Sequence, residues 1–124
     1  MPDYNDPAER YRDDRFADTT LFSAQYGHEI GSYHDGCIYD PEGSDVGMCT
    51  SMVVVNRDGL RVGYCLHHRL VDDQGNILAY WQDGQIVDKS RTTVLFTWQG
   101  DSRAAAAIAI LTLVACTDAL RNII

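Results

Sequence analysis

Seven side chains in this sequence could between them hold a metal or attack a substrate: His28, His34, Cys37, Cys49, Cys65, His67 and His68. Zinc accepts thiolate and imidazole in a tetrahedral shell, but its common sites have regular spacings. Here there is no Cys-x-x-Cys, and the steps from His28 to His34 to Cys37 match no knuckle or finger. On a strand, adjacent His67 and His68 point to opposite faces, which leaves His67 to join Cys65 on one side. Cys65 and His67 are also the best nucleophile and base on offer, since a thiol is activated by a neighbouring base. No nucleophile elbow accompanies them. The pairs Asp13-Asp14 and Asp72-Asp73 read as leader and turn residues rather than an acid/base couple, because turns favour short polar side chains. On this reading there is no catalytic residue, metal or cofactor. A small metal-dependent or Cys/His hydrolase built on His34, Cys65 and His67 is the second reading.

Aromatic residues offer a different chemistry. Tyr33, Tyr39, Tyr64, Tyr80, Trp81, Phe96 and Trp98 fall in the strand-rich part of the chain. Tyr80 and Trp81 must face opposite sides of a strand, so one of them lies on the outer surface. Amphipathic aromatics are enriched at binding surfaces. We therefore expect a non-enzymatic binding or assembly module that uses an outer sheet face, with Trp81, His67 and Arg69 as the contact residues. Its partner is a protein or a small molecule. Nucleic acid does not fit, because phosphate neutralisation needs clustered basic residues and Lys89 is the sole lysine.

The elements that position these residues follow from hydropathy. Ala104 to Thr117 carries no charge, so a helix there is apolar all round and must be enclosed all round. At about 21 Å it is too short for a bilayer core of about 30 Å, which weighs against a membrane span. Met52 to Val55, Leu60 to Val71, Ile77 to Trp81 and Thr92 to Trp98 are β-rich runs. They are separated by the turns Asn56-Arg57-Asp58-Gly59, Asp72-Asp73-Gln74-Gly75-Asn76 and Gln82-Asp83-Gly84-Gln85. Connections this short join antiparallel neighbours. Within the second run, Leu60, Val62, Tyr64, Leu66, His68 and Leu70 are expected to face the core, and Arg61, Gly63, Cys65, His67 and Arg69 to face out. The fold class is mainly β with one long helix: an antiparallel meander forming a curved sheet or small barrel around a buried C-terminal helix, 102–119. In the alternative, the helix lies on an open sheet and a second copy of the chain covers its outer side.

Residues 1–45 hold eleven acids against three arginines, whereas the rest of the chain is balanced, so the net charge of −8 is concentrated at the N-terminal end. We read 1–19 as an acidic leader, with a short helix start at Asp6-Pro7-Ala8-Glu9, and 20–124 as one domain. No charged segment followed by an apolar stretch opens the chain, which suggests the cytoplasm and four reduced cysteines.

The hairpin phrase Leu70-Val71-Asp72-Asp73-Gln74-Gly75-Asn76-Ile77-Leu78-Ala79, the segment Asp40-Pro41-Glu42-Gly43-Ser44-Asp45-Val46-Gly47, and an apolar helix closing with Asp118-Ala119-Leu120 resemble the tubby C-terminal-like group. That group includes LURP-one-related and phospholipid-scramblase-like proteins. The resemblance spans roughly Ile38 to Ile124. It implies a twelve-stranded barrel around a C-terminal helix and suggests a membrane-peripheral lipid binder as a third reading. Two departures stand out: Thr20 to Trp98 has room for about eight strands, and the group's basic headgroup cluster is missing.

Overall fold

A computed structural model describes residues 16–50 and 53–115. Within them the chain forms β1 (Thr19–Ser23), β2 (Glu29–His34), β3 (Cys37–Tyr39), β4 (Asp45–Thr50), β5 (Val53–Asn56), β6 (Arg61–Leu66), β7 (Arg69–Asp72), β8 (Ile77–Gln82), β9 (Gln85–Val87), β10 (Val94–Gln99) and the helix α1 (Ser102–Ala115). Each strand pairs antiparallel with the next. β10 returns to β1, with Leu21 opposite Trp98 and Ser23 opposite Phe96, so the sheet closes and has no free edge.

The helix fills the lumen. An eight-stranded barrel has an interior that side chains alone can fill, and the diameter grows with strand number. Ten strands leave space for a rod, and α1 touches β1, β2, β4 to β8 and β10. Ala104 to Leu111 and Leu113 are all buried. The wall and the rod match in size. Ala104–Ala107 enter at the rim where Tyr33 and Trp98 stand on the inner face, and the larger Ile108, Ile110 and Leu111 meet Gly31, Gly63 and Gly47. A methyl on Gly63 would lie 2.6 Å from Ile110 Cγ2, and one on Gly47 2.9 Å from Leu111 Cδ2. Asp101 caps the helix: its Oδ1 accepts the Arg103 N–H at 2.8 Å, and the Arg103 side chain also binds it. That side-chain bond chiefly holds the Asp101 carboxyl below the usual range.

The closed barrel excludes the open-sheet alternative. It also has ten strands rather than about eight, because β3 and β9 are three residues long and Leu60 to Val71 is two strands. The facing expected for that run is reversed in its first half. Gly63 is buried on the inner side, while Leu60 and Leu66 are 63% and 48% exposed. Ile110 of the helix lies against the wall here, so β6 turns Gly63 inward. The helix is described as far as Ala115. Its expected continuation to 119, the Asp6 helix start and Asp13-Asp14 lie outside the described residues. Among the described residues no helix is long and apolar enough to cross a membrane.

Candidate functional site

The barrel repeats its hairpin every sixteen residues, and the candidate site lies where that repeat is broken. Asp40, Asn56, Asp72 and Asp88 open four loops on the far rim at this interval. In the first three, one side-chain oxygen gathers two backbone N–H groups. Asp40 Oδ1 accepts from Glu42 and Ser44 at 3.1 and 2.8 Å, Asn56 Oδ1 from Asp58 and Leu60 at 3.0 and 3.1 Å, and Asp72 Oδ1 from Gln74 and Asn76 at 3.0 and 2.8 Å. In the fourth, Asp88 Oδ1 accepts from Thr92 and, shifted by one residue, from Thr93, at 3.0 and 3.3 Å. The Asn76 backbone N–H is the main reason the Asp72 carboxyl stays below its ordinary pKa. Three residues into each loop the chain turns left-handed. Gly43, Gly59 and Gly75 supply this with φ of 87°, 83° and 86°, but the fourth loop puts Arg91 there, at 61°.

The near rim shows a parallel substitution. Its two-residue turns need positive φ at both positions, which favours Asp-Gly. Asp35-Gly36 and Asp83-Gly84 follow that rule, and the β6–β7 turn replaces them with His67-His68, at 50° and 67°. An L-residue held left-handed costs about 1–2 kcal/mol. Both departures converge on one cleft of about 320 Å³, lined by His67, His68, Tyr80, Trp81, Gln82, Asp83 and Arg91. Of the five non-glycine residues with positive φ among those described, only Asp35 lies outside this lining.

The side chains there are held firmly. The Arg91 guanidinium lies 4.1 Å over the centre of the Tyr80 ring, and its backbone N–H donates to Asp88 O at 3.0 Å. The Trp81 backbone N–H donates to His68 O at 2.8 Å, and the two rings are 4.6 Å apart. Trp81 Nε1 is buried with no hydrogen-bond partner among the described residues. Such an orphan donor costs about 1–3 kcal/mol.

Two of the three expected contact residues, Trp81 and His67, line the cleft, although neither is where the sequence reading put it. Trp81 pairs with the fully buried Ile86, so it faces inward at the barrel mouth and not onto the outer sheet. Tyr80 takes the outer face. His67 sits in a turn rather than on a strand. Arg69 is exposed on the outer face as the cross-strand neighbour of Tyr80, beside the cleft but not in its lining. Sequence reasoning missed His68, Tyr80, Gln82, Asp83 and Arg91 as a group. The signal for Arg91 is its register: sixteen residues after Gly75, thirty-two after Gly59.

The hydrolase residues are not brought together. Cys65 packs against the core, and burial pushes its thiol pKa up, which makes a poor nucleophile. His34 Nδ1 lies 2.8 Å from Asp18 Oδ1 at an exposed site. Among the described residues no three His, Cys, Asp or Glu side chains group as metal ligands. Cys37 and Cys65 are free thiols, and Cys116 lies outside the described residues. No protein-family model, curated protein or solved structure matches the chain.

Proposed function

We propose that the chain is a non-enzymatic binding module whose site is the cleft between the β6–β7 turn, the end of β8 and the loop after β9. The observation that carries this reading is the placement of His68 and Arg91 at left-handed positions that glycine fills in sister hairpins. Folding alone favours glycine there. Strain that persists against a local preference, and that collects around one opening, is a mark of function. At about 320 Å³ the cleft suits a small ligand or one side chain of a protein partner. Its lining supplies donors, one carboxylate and aromatic surface, with no serine or cysteine to act as nucleophile.

As part of the same proposal we place the chain beside the tubby C-terminal-like group, with ten strands around the helix instead of that group's twelve. The cytoplasm and the absence of nucleic-acid partners belong to this proposal too.

Amide spectra recorded with a chemically mixed fragment library test the site. Shifts should gather on residues 67–68, 80–83 and 91. Changing His68 and Arg91 to glycine should remove those shifts while the protein stays folded, with stability within about 1 kcal/mol of the parent because relieved strain offsets the lost ring contacts. Fragment shifts clustered instead around Ile30, Val46 and Leu111 would sink the assignment.

A further inference from the structure

Resting on the cleft as the binding site, we propose that its ligand carries a carboxylate and that the Arg91 guanidinium is the group that takes it. The chain has eighteen acids and ten lysines and arginines, so an arginine has many carboxylates to choose from. Arg103 takes one, with Nη2 2.9 Å from Asp101 Oδ2. Arg91, like Arg57, Arg61 and Arg69, takes none among the described residues, but it alone of these lines the cleft, with its guanidinium on the face of Tyr80. Stacking occupies the flat of the guanidinium and leaves its N–H edge, the part that meets a carboxylate in a two-point fork, without an acceptor.

The group is also held in place before any ligand arrives. Backbone φ is set at 61°, Asp88 O accepts the Arg91 N–H, and Asp88 Oδ1 accepts the next one, from Thr92. A donor fixed in advance loses little freedom on binding. His67, His68 and Gln82 add donors around the same opening.

Asp83 narrows the class. It belongs to the lining, in a protein of net charge −8, and it opposes a second negative charge more strongly than a first. A planar monoanion fits better than a phosphate dianion. The carboxylate can belong to a free small acid or to an acidic residue or C-terminus of a peptide, and the fork is the same in each case.

Benzoate is the probe: planar, singly charged and small enough for the cleft. Benzamide is its uncharged counterpart, inorganic phosphate the dianion, and a short peptide ending in Glu the polymeric source. Titrated into the full chain and followed by amide shifts, benzoate should move residues 67–68, 80–83 and 91, with benzamide and phosphate each at least about tenfold weaker. Arg91→Gln should weaken benzoate by about tenfold or more, and Arg91→Lys should fall between, since it keeps charge without the fork. A peptide that outcompetes benzoate assigns the carboxylate to a protein partner, and one that does not assigns it to a small acid. Equal binding of benzamide, or benzoate shifts that survive in Arg91→Gln, overturns the carboxylate assignment. So does an absence of benzoate shifts at the cleft. If the fragment library still gathers there, the binding site stands and only its ligand class falls.

Discussion

Replacing Gly63 by alanine sets two effects of opposite sign against each other. No positive φ holds Gly63, so its backbone accommodates an L-residue, and at such a position Gly→Ala normally stabilises by about 0.4–1 kcal/mol through the unfolded chain. The barrel predicts the reverse. The new Cβ would stand 2.6 Å from Ile110 Cγ2 and would also overlap the Val71 carbonyl oxygen across the β6–β7 pair. The second obstacle is backbone and cannot swing aside, so overpacking should reach the upper part of its usual range, about 2–3 kcal/mol. Gly47→Ala should cost nearly as much, since its Cβ meets Leu111 Cδ2 at 2.9 Å and the Val55 oxygen. Gly31→Ala should cost less, about 1 kcal/mol, because its nearest contacts are 2.9 and 3.0 Å away. Urea unfolding followed by circular dichroism reads all three: a loss of 2–3 kcal/mol lowers the midpoint by about 1–2 M for a protein of this size. Ile110→Ala combined with Gly63→Ala should be less destabilising than the separate losses added together, by more than about 0.5 kcal/mol. A Gly63→Ala protein as stable as the parent, or strict additivity with Ile110→Ala, would refute the wall-to-rod contact.

Three further outcomes follow from the same structure. Ile110→Asp, which buries an unpaired charge in the lumen, should abolish cooperative folding; a soluble variant with a sharp melting transition would place the helix at the periphery. Asp72→Asn should be nearly neutral at pH 7, because Asn56 already does the same job in a sister loop. The Asp72 pKa is lowered in the folded chain, so its contribution is present above the unfolded value of about 3.9 and is lost as pH falls through the folded one. The variant should therefore lose less stability than the parent below about pH 4, and identical acid profiles would count against the hydrogen-bonded loop. Cys65 should react with iodoacetamide far more slowly in native than in urea-unfolded protein, since burial raises its pKa; equal rates would mean an open barrel wall.

The helix was the most legible element. Fourteen uncharged residues can only be surrounded, and the strands between turns were numerous enough to do the surrounding. Short connections gave the antiparallel order as well. What misled was the assumption that the larger apolar set of the Leu60 to Leu70 run faces inward along its whole length. Beside the large Leu21, Tyr33, Leu70 and Phe96, the inward positions of this wall include Gly31, Gly47, Gly63 and Ala79, at sixteen-residue spacing, and a hydrophobicity pattern cannot see an inward position held by glycine. The His67-His68 turn was hidden for a related reason, because it lacks the Asp-Gly pair that marks its neighbours. The cleft was half legible. Trp81 and His67 stood out by residue type, but Arg91 carries information only when aligned with Gly43, Gly59 and Gly75, and that alignment depends on the repeat.

Native-state hydrogen exchange of the α1 amides is the most direct measurement of whether the barrel encloses its helix. Enclosure predicts that Ala106 to Leu113 exchange only when the whole protein unfolds, with an opening free energy equal to the global value from urea. Exchange of these amides at markedly lower free energy than those of β6 and β10 would show that the helix leaves while the sheet persists, contradicting a lumen built around it.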